Sequence, residues 1–187
     1  MTSLDPKDPL VLDVRNLERR PGSMVTVTRS ASAPAGLGVA MARVPEGSPI
    51  DLDLRLESVL EGVLVSGSAD LQVSAECSRC LETFDWHEEI DLTELFRYPT
   101  TDARGAIVEE EDESEDPLPV LQDDLIDLEP VLRDAVVLDL PLAPLCREDC
   151  KGLCPVCGTN FNTGSCQCHP TWVDPRLAVL EQLKKDR

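Results

Sequence analysis

Ile50-Asp51-Leu52-Asp53-Leu54-Arg55-Leu56-Glu57 is the stretch on which the fold turns. Its apolar residues occupy every second position and its charged residues the positions between, the period of a strand with one buried and one solvated face. Downstream, Val59 to Gly67 and Ala69 to Ala75 continue the pattern, with Leu71, Val73 and Ala75 turned inward. Phe84, Trp86, Ile90 and Leu92 supply a further strand beyond Cys80. Upstream, Arg19-Arg20-Pro21-Gly22 reads as a turn leading into Met24-Val25-Thr26-Val27-Thr28-Arg29, which has strand composition. Val11, Val14 and Leu17 form a short apolar segment before that turn, and residues 30–38 read as a loop. Consecutive short strands with no helical period between them imply an antiparallel meander.

The period changes near residue 128. Leu128, Val131, Leu132, Ala135 and Val136 recur at three and four, the mark of an amphipathic helix. Asp127 is the expected N-cap, Pro130 suits the first turn, and Pro141 and Pro144 stop the helix. A second helix is expected from Asp174-Pro175, with Leu177, Leu180 and Leu183 on one stripe and Lys184, Lys185 and Arg187 at its C-terminal end. The fold class is therefore α+β. An antiparallel β domain covers residues 1–100 and an acidic, disordered loop residues 101–122. Residues 123–187 hold a helix, a cysteine-rich tail and a C-terminal helix packed on the sheet.

The loop assignment rests on charge. The 187 residues include 36 acidic and 17 basic side chains, a formal charge of -19, and residues 102–129 alone carry -11 of it. Glu109-Glu110-Glu111-Asp112-Glu113-Ser114-Glu115-Asp116 repels itself and buries nothing. Residues 130–187 are neutral. Acidity on this scale excludes an autonomous, charge-driven nucleic-acid binder, and six aromatic residues are too few for a stacking platform. No apolar run approaches the roughly 18 residues that span a bilayer, and the first residues lack the basic start and apolar core of a signal peptide. A cytoplasmic location with no membrane partner is the expectation.

Eight cysteines fall as four close pairs: Cys77 with Cys80, Cys146 with Cys150, Cys154 with Cys157, and Cys166 with Cys168. In a reducing compartment, paired cysteines point to metal or catalysis rather than disulfides. Structural zinc takes four thiolates in a tetrahedron, so four pairs match two closed Zn2+ sites with nothing left over. Cys154-Pro155-Val156-Cys157-Gly158 has the form of a zinc knuckle, and Cys166-Gln167-Cys168 returns to it after a short loop. Cys77 and Cys80, on the rim of the sheet, are left to meet Cys146 and Cys150. Alternatives exchange one thiolate of the Cys166–Cys168 pair, or bring in His169. A thioredoxin-like motif is disfavoured because a strand, not a helix, follows Cys80. An iron–sulfur cluster is not excluded by spacing. Only His87 and His169 are available as a base for a nucleophilic thiolate, so Cys–His catalysis and a histidine-rich catalytic zinc are both disfavoured.

These features resemble the YceD family. The resemblance is carried by Cys77-Ser78-Arg79-Cys80-Leu81-Glu82 after an alternating strand and by Asp127-Leu128-Glu129-Pro130 opening a helix after an acidic loop. Its longest part is the tail Pro144-Leu145-Cys146-Arg147-Glu148-Asp149-Cys150-Lys151-Gly152-Leu153-Cys154-Pro155-Val156-Cys157-Gly158, continuing through Cys166-Gln167-Cys168 to Asp174-Pro175-Arg176-Leu177-Ala178. Arg19-Arg20-Pro21-Gly22-Ser23-Met24 is similar to the actinobacterial branch. The resemblance implies a non-enzymatic factor supporting synthesis, processing or stability of 23S rRNA, with no small-molecule substrate. Its partner would be the large-subunit ribosomal precursor, engaged through rRNA or a basic ribosomal protein. Charge favours the protein or a limited basic face, for which Arg15, Arg19, Arg20 and Arg29, or Arg147 and Lys151, are the candidates. The rival reading is a thiol-redox protein or redox-sensing zinc chaperone using the same cysteines.

Overall fold

The computed structural model describes residues 4–100 and 118–168. In chain order these form β1 (Val11–Asp13), β2 (Met24–Ser32), β3 (Ala42–Arg43), β4 (Pro49–Ser58), β5 (Gly62–Glu76), β6 (Thr83–Arg97), β7 (Leu125–Asp127) and α1 (Glu129–Asp139). The architecture is α+β with antiparallel sheets. In β4 the alternation is carried into space: Ile50, Leu52, Leu54 and Leu56 are buried, while Asp51, Asp53 and Arg55 are exposed. Strand β5 is the axis of the main sheet. On one edge it pairs with β4, from Ile50 opposite Leu71 to Ser58 opposite Val63, and then with the short β3. On the other edge it pairs with β6 along its whole length, from Gly62 opposite Arg97 to Glu76 opposite Thr83. Strand β2 lies outside β4.

The buried face of this sheet shares one core with the β1–β7 ribbon and α1. Leu12, Ile126, Leu128 and Leu132 from the covering elements join Ile50, Leu54, Leu71 and Leu92 from the sheet. Burial of side chains of this size is worth roughly 1.5–3 kcal/mol each, which is what fixes the strand register. The inward column of β5 (Val63, Val65, Ala69, Leu71, Val73, Ala75) continues with the same period into Cys77, whose exposure is 0%. The first cysteine is thus delivered to the interior by the alternation itself. On the opposite, solvated face, Asp51, Asp70 and Glu89 lie directly across from one another on three adjacent strands.

Several expectations change in detail. Val59 to Glu61 belong to a turn, and residues 62–76 form one uninterrupted strand. Strand β2 runs on to Ser32, into the stretch expected to be loop. The N-cap position of α1 is Leu128, not Asp127; the Asp127 carboxylate still accepts the Glu129 N–H at 3.0 Å and satisfies one otherwise unpaired donor. The helix stops where the extended Leu140 meets Pro141. Of the expected acidic loop, residues 101–117 lie outside the described residues. Residues 118–122 are not free, because Arg97 N–H donates to Pro119 O (2.8 Å), Leu121 N–H donates to Arg97 O (2.9 Å), and Leu121 is buried. The expected C-terminal helix and His169 also lie outside the described residues. No helix among the described residues is long and apolar enough to cross a membrane.

Candidate metal centres

The first centre forms where the sheet meets the chain emerging from α1. Cys77 ends the inward column of β5 and Cys80 follows in a tight turn, while Cys146 and Cys150 arrive after Pro144. The four Sγ atoms lie within 4.8 Å of one another, with Cys77–Cys150 and Cys80–Cys146 each at 3.7 Å. Backbone contacts fix this meeting. Ser78 donates to Pro144 O from its N–H (2.9 Å) and its hydroxyl (3.1 Å), and the Arg79 guanidinium donates to Cys150 O (2.9 Å). Three of the thiols are buried, Cys146 is half-buried, and Phe84, Leu145 and Leu153 pack around them.

The second centre is built within fifteen residues of chain. Cys154, Cys157, Cys166 and Cys168 also bring their Sγ atoms within 4.8 Å of one another. Its knuckle repeats the first one bond for bond. Gly158 N–H donates to Cys154 O (2.9 Å) as Leu81 N–H donates to Cys77 O (2.8 Å). Cys154 N–H donates to Thr159 O (2.9 Å) as Cys77 N–H donates to Glu82 O (2.9 Å). The residue after the second cysteine is left-handed in both turns, with φ 73° at Gly158 and φ 60° at Leu81. Glycine adopts that conformation freely, whereas leucine at the equivalent place is strained by roughly 1–2 kcal/mol. The surroundings differ. Cys157 is exposed, and Cys166 and Cys168 are half-buried.

A short, rigid bridge joins the two. Gly152 sits between Cys150 and Cys154 at φ 73°, so close to Arg79 that an added Cβ would stand 3.0 Å from its carbonyl oxygen. Leu153 N–H donates to that same oxygen (3.1 Å). The loop beyond the knuckle folds back on the first centre. The Asn162 side chain accepts Lys151 N–H (2.8 Å) and donates to Cys150 Sγ (3.4 Å), while Asn160 donates to the Glu82 carboxylate (2.9 Å).

Within each group the thiols do not titrate alike. Burial opposes ionisation of Cys77, but backbone hydrogen bonds at Cys146, Cys80 and Arg79 bring it down to about 6. At Cys80 a backbone hydrogen bond at Glu82 favours the thiolate, yet burial and the adjoining thiols push it up to about 12. Burial raises Cys146, and the Asn162 amide lowers Cys150. In the second group the Thr159 hydroxyl, followed by its backbone, lowers Cys157 to about 6, and the neighbouring Cys157 drives Cys168 up to about 12. This is the behaviour of sulfurs too close to carry four negative charges without a cation among them. A tetrahedron with metal–sulfur distances of about 2.3 Å has edges of about 3.8 Å, close to the 3.7 Å separations of the first group. Donor set and spacing fit a soft, four-coordinate dication in each centre.

All eight cysteines marked by spacing are therefore gathered, in the two groups expected. Glu82 and Gly152 stand in the quoted motifs with no role marked by the sequence, and Asn160 and Asn162 carry no signal of their own. Laying one knuckle over the other would have exposed Leu81 as the counterpart of Gly158. Four of the six residues offered as a basic face make side-chain contacts within the chain, with the Arg15 and Arg19 side chains still 59% and 62% exposed. Arg15 pairs with Asp13, Arg19 pairs with Asp124 (2.5 Å) and covers the Tyr98 ring, and Arg29 donates to Pro9 O and Val11 O. Arg147 lies 3.7 Å from Asp149.

Comparison with known proteins follows the same segment of chain. Residues 65–184, which hold both centres, match the family described as large ribosomal RNA subunit accumulation protein YceD. A protein of Mycobacterium tuberculosis is 39% identical over 175 residues, covering 94% of this chain and 81% of the relative. The Bacillus subtilis protein YlbN is 33% identical over 123 residues, 63% of this chain and 66% of its own. A chloroplastic protein of Arabidopsis thaliana, named large ribosomal RNA subunit accumulation protein YCED homolog 1, is 25% identical over 164 residues, 75% of this chain and 50% of its own. No solved structure matches the chain. With its cysteine pairs inside the matched span and a relative aligned over nearly its whole length, this chain belongs to the YceD family.

Proposed function

We propose that this protein is a non-enzymatic assembly factor for the large ribosomal subunit, of the actinobacterial branch, acting in the cytoplasm to support 23S rRNA synthesis, processing or stability. The observation that carries the reading is the coincidence of the family match with two four-thiol centres in the same residues, 65–184. The centres hold structural Zn2+: with all four positions taken by sulfur, neither leaves the open position that a catalytic ion uses. The partner is a basic ribosomal protein of the precursor particle rather than rRNA directly. The chain carries a net charge of -19, and two loaded four-thiolate sites add about -2 each to their surroundings. The outer face of the sheet presents Asp51, Asp70 and Glu89 in a row, and Arg15 and Arg19 each stand beside a carboxylate, Asp13 and Asp124. Such a surface favours lysine- and arginine-rich segments and repels phosphates.

The test is made in cells depleted of the protein. The ratio of 23S to 16S rRNA should fall and be restored by the wild-type chain but not by Cys77→Ser; an unchanged ratio on depletion would refute the role. A gel-shift with 23S fragments at physiological salt addresses the partner, since tight, weakly salt-dependent binding by the protein alone would point to rRNA instead. Exposure of Cys157 favours one rival, a thiol-redox or redox-sensing zinc protein. Rapid loss of zinc with disulfide formation under dilute peroxide would support that rival, and eight thiols unchanged after such treatment would exclude it.

A further inference from the structure

The loop of the second centre reaches a ligand of the first. Asn162 lies between the knuckle Cys154–Cys157 and the pair Cys166–Cys168, yet its side-chain N–H points at the sulfur of Cys150, 3.4 Å away. Its side-chain oxygen is held by Lys151 N–H (2.8 Å), which orients the amide so that the donor, not the acceptor, faces the thiolate. Asn160 fixes the second arm. It pairs with Leu153 across the base of the knuckle, accepts Asn162 N–H on its side-chain oxygen (2.9 Å), and donates to Glu82 (2.9 Å). The other carboxylate oxygen of Glu82 is 3.8 Å from Cys80 Sγ. One loop thus touches the surroundings of two of the four sulfurs of the first centre. Its shape depends on the turn that Cys154 and Cys157 close, because Thr159 and Asn160 follow that turn directly.

We infer that the two centres are a single coupled unit, in which closure of the second centre by its ion sets Asn162 against Cys150 and so tightens the first centre's hold on its own ion. Two features of the chemistry require the coupling to be favourable. Four thiolates around one dication leave an excess of about two negative charges, and an N–H donated to a sulfur offsets part of it. A donor on a loop costs conformational entropy to present, and that cost is removed when the loop is already closed. By linkage the effect is mutual, so the first centre when filled also favours the second. The order of loading follows. The second centre closes within fifteen residues and forms first; the first centre must bring together residues 66 or more apart and benefits from the finished loop.

This inference rests on the zinc reading above, and the test separates the two. Full-length protein loaded with zinc is titrated with a chromophoric chelator, and a parallel sample loaded with 113Cd is observed by NMR so that each centre has its own resonance. Wild-type protein holding fewer than two ions would overturn the zinc reading, whatever the coupling. Asn162→Asp keeps the acceptor for Lys151 N–H and removes the donor; it should loosen the first centre by about 10–100-fold and shift its cadmium resonance, leaving the second centre's resonance in place. If that variant misfolds, Asn162→Ala gives the same readout without the added charge. Cys157→Ser with Cys168→Ser, which disables the second centre, should loosen the first by at least as much. An ion held at the first centre as tightly in these variants as in the wild type, with its resonance unmoved, would overturn the coupling.

Discussion

The two knuckles share a backbone and differ in everything around it. Cys77 to Glu82 and Cys154 to Thr159 make the same pair of backbone hydrogen bonds. The first, however, is the end of a core strand, and its partners come from beyond α1; the second is completed by its own loop. The comparison teaches that identical local chemistry can serve two purposes. A centre closed over a long separation restricts the unfolded chain more and holds distant elements together, whereas a centre closed locally shapes its own loop and reaches the rest of the chain only through that loop's contacts.

The most severe way to break that contrast is to remove one ligand from each centre. Cys77→Ser leaves two buried thiols and the half-buried Cys146 without a closed site and releases residues 144–150 from the sheet, so a loss of more than about 4 kcal/mol in urea unfolding is expected. Cys157→Ser should lower the zinc count and open the tail to protease while the far-UV spectrum of the sheet persists. Equal unfolding in the two variants would erase the distinction between staple and local loop.

Acidification comes next. In the metal-free protein Cys80 lies near 12 and Cys146 is raised, so both carry protons at neutral pH, and binding a cation must expel them. Affinity at the first centre should therefore rise by at least about two orders of magnitude per pH unit around neutrality and fall as pH drops. Raised Cys166 and Cys168 give the second centre the same sign. Calorimetry in buffers of different ionisation enthalpy counts the protons; a metal affinity indifferent to pH would argue against thiolate ligation.

Smaller effects sharpen the comparison. Gly152→Ala forces a side chain into a left-handed residue with a carbonyl oxygen at 3.0 Å and should cost about 1–2 kcal/mol, visible as a lower midpoint of thermal unfolding. Leu81→Gly gives the first knuckle the residue that the second already has. Because Leu81 is exposed (60%), little packing is lost, and a gain of about 0.5–1 kcal/mol remains after glycine's greater unfolded-state entropy. A destabilised Leu81→Gly would show that the two turns are not equivalent after all.

Much of this was legible in the residues. Alternation from Ile50 to Leu56 is visible because a half-buried strand has to separate apolar from charged side chains, and the cysteines are visible because a tetrahedral ion demands paired thiolates. Grouping them was legible for the tail, where the loop is short, and followed for the rest by what remained. Other features had no such mark. The cap shifted from Asp127 to Leu128 because a carboxylate can serve the same donor from one residue further out. The composition of residues 118–122 is that of a linker, and their backbone hydrogen bonds to Arg97 at the end of β6 carry no mark in the sequence. Asn162 carries no mark in the sequence; its contact with Cys150 is a matter of tertiary placement.

The central claim is that eight cysteines hold two zinc ions in centres of unequal depth, and native mass spectrometry of the full chain combined with thiol counting tests it most directly. The account predicts two zinc ions per chain, no free thiol until metal is withdrawn, and eight free thiols afterwards. A single ion with four thiols reactive from the start, or no ion at all, would contradict it.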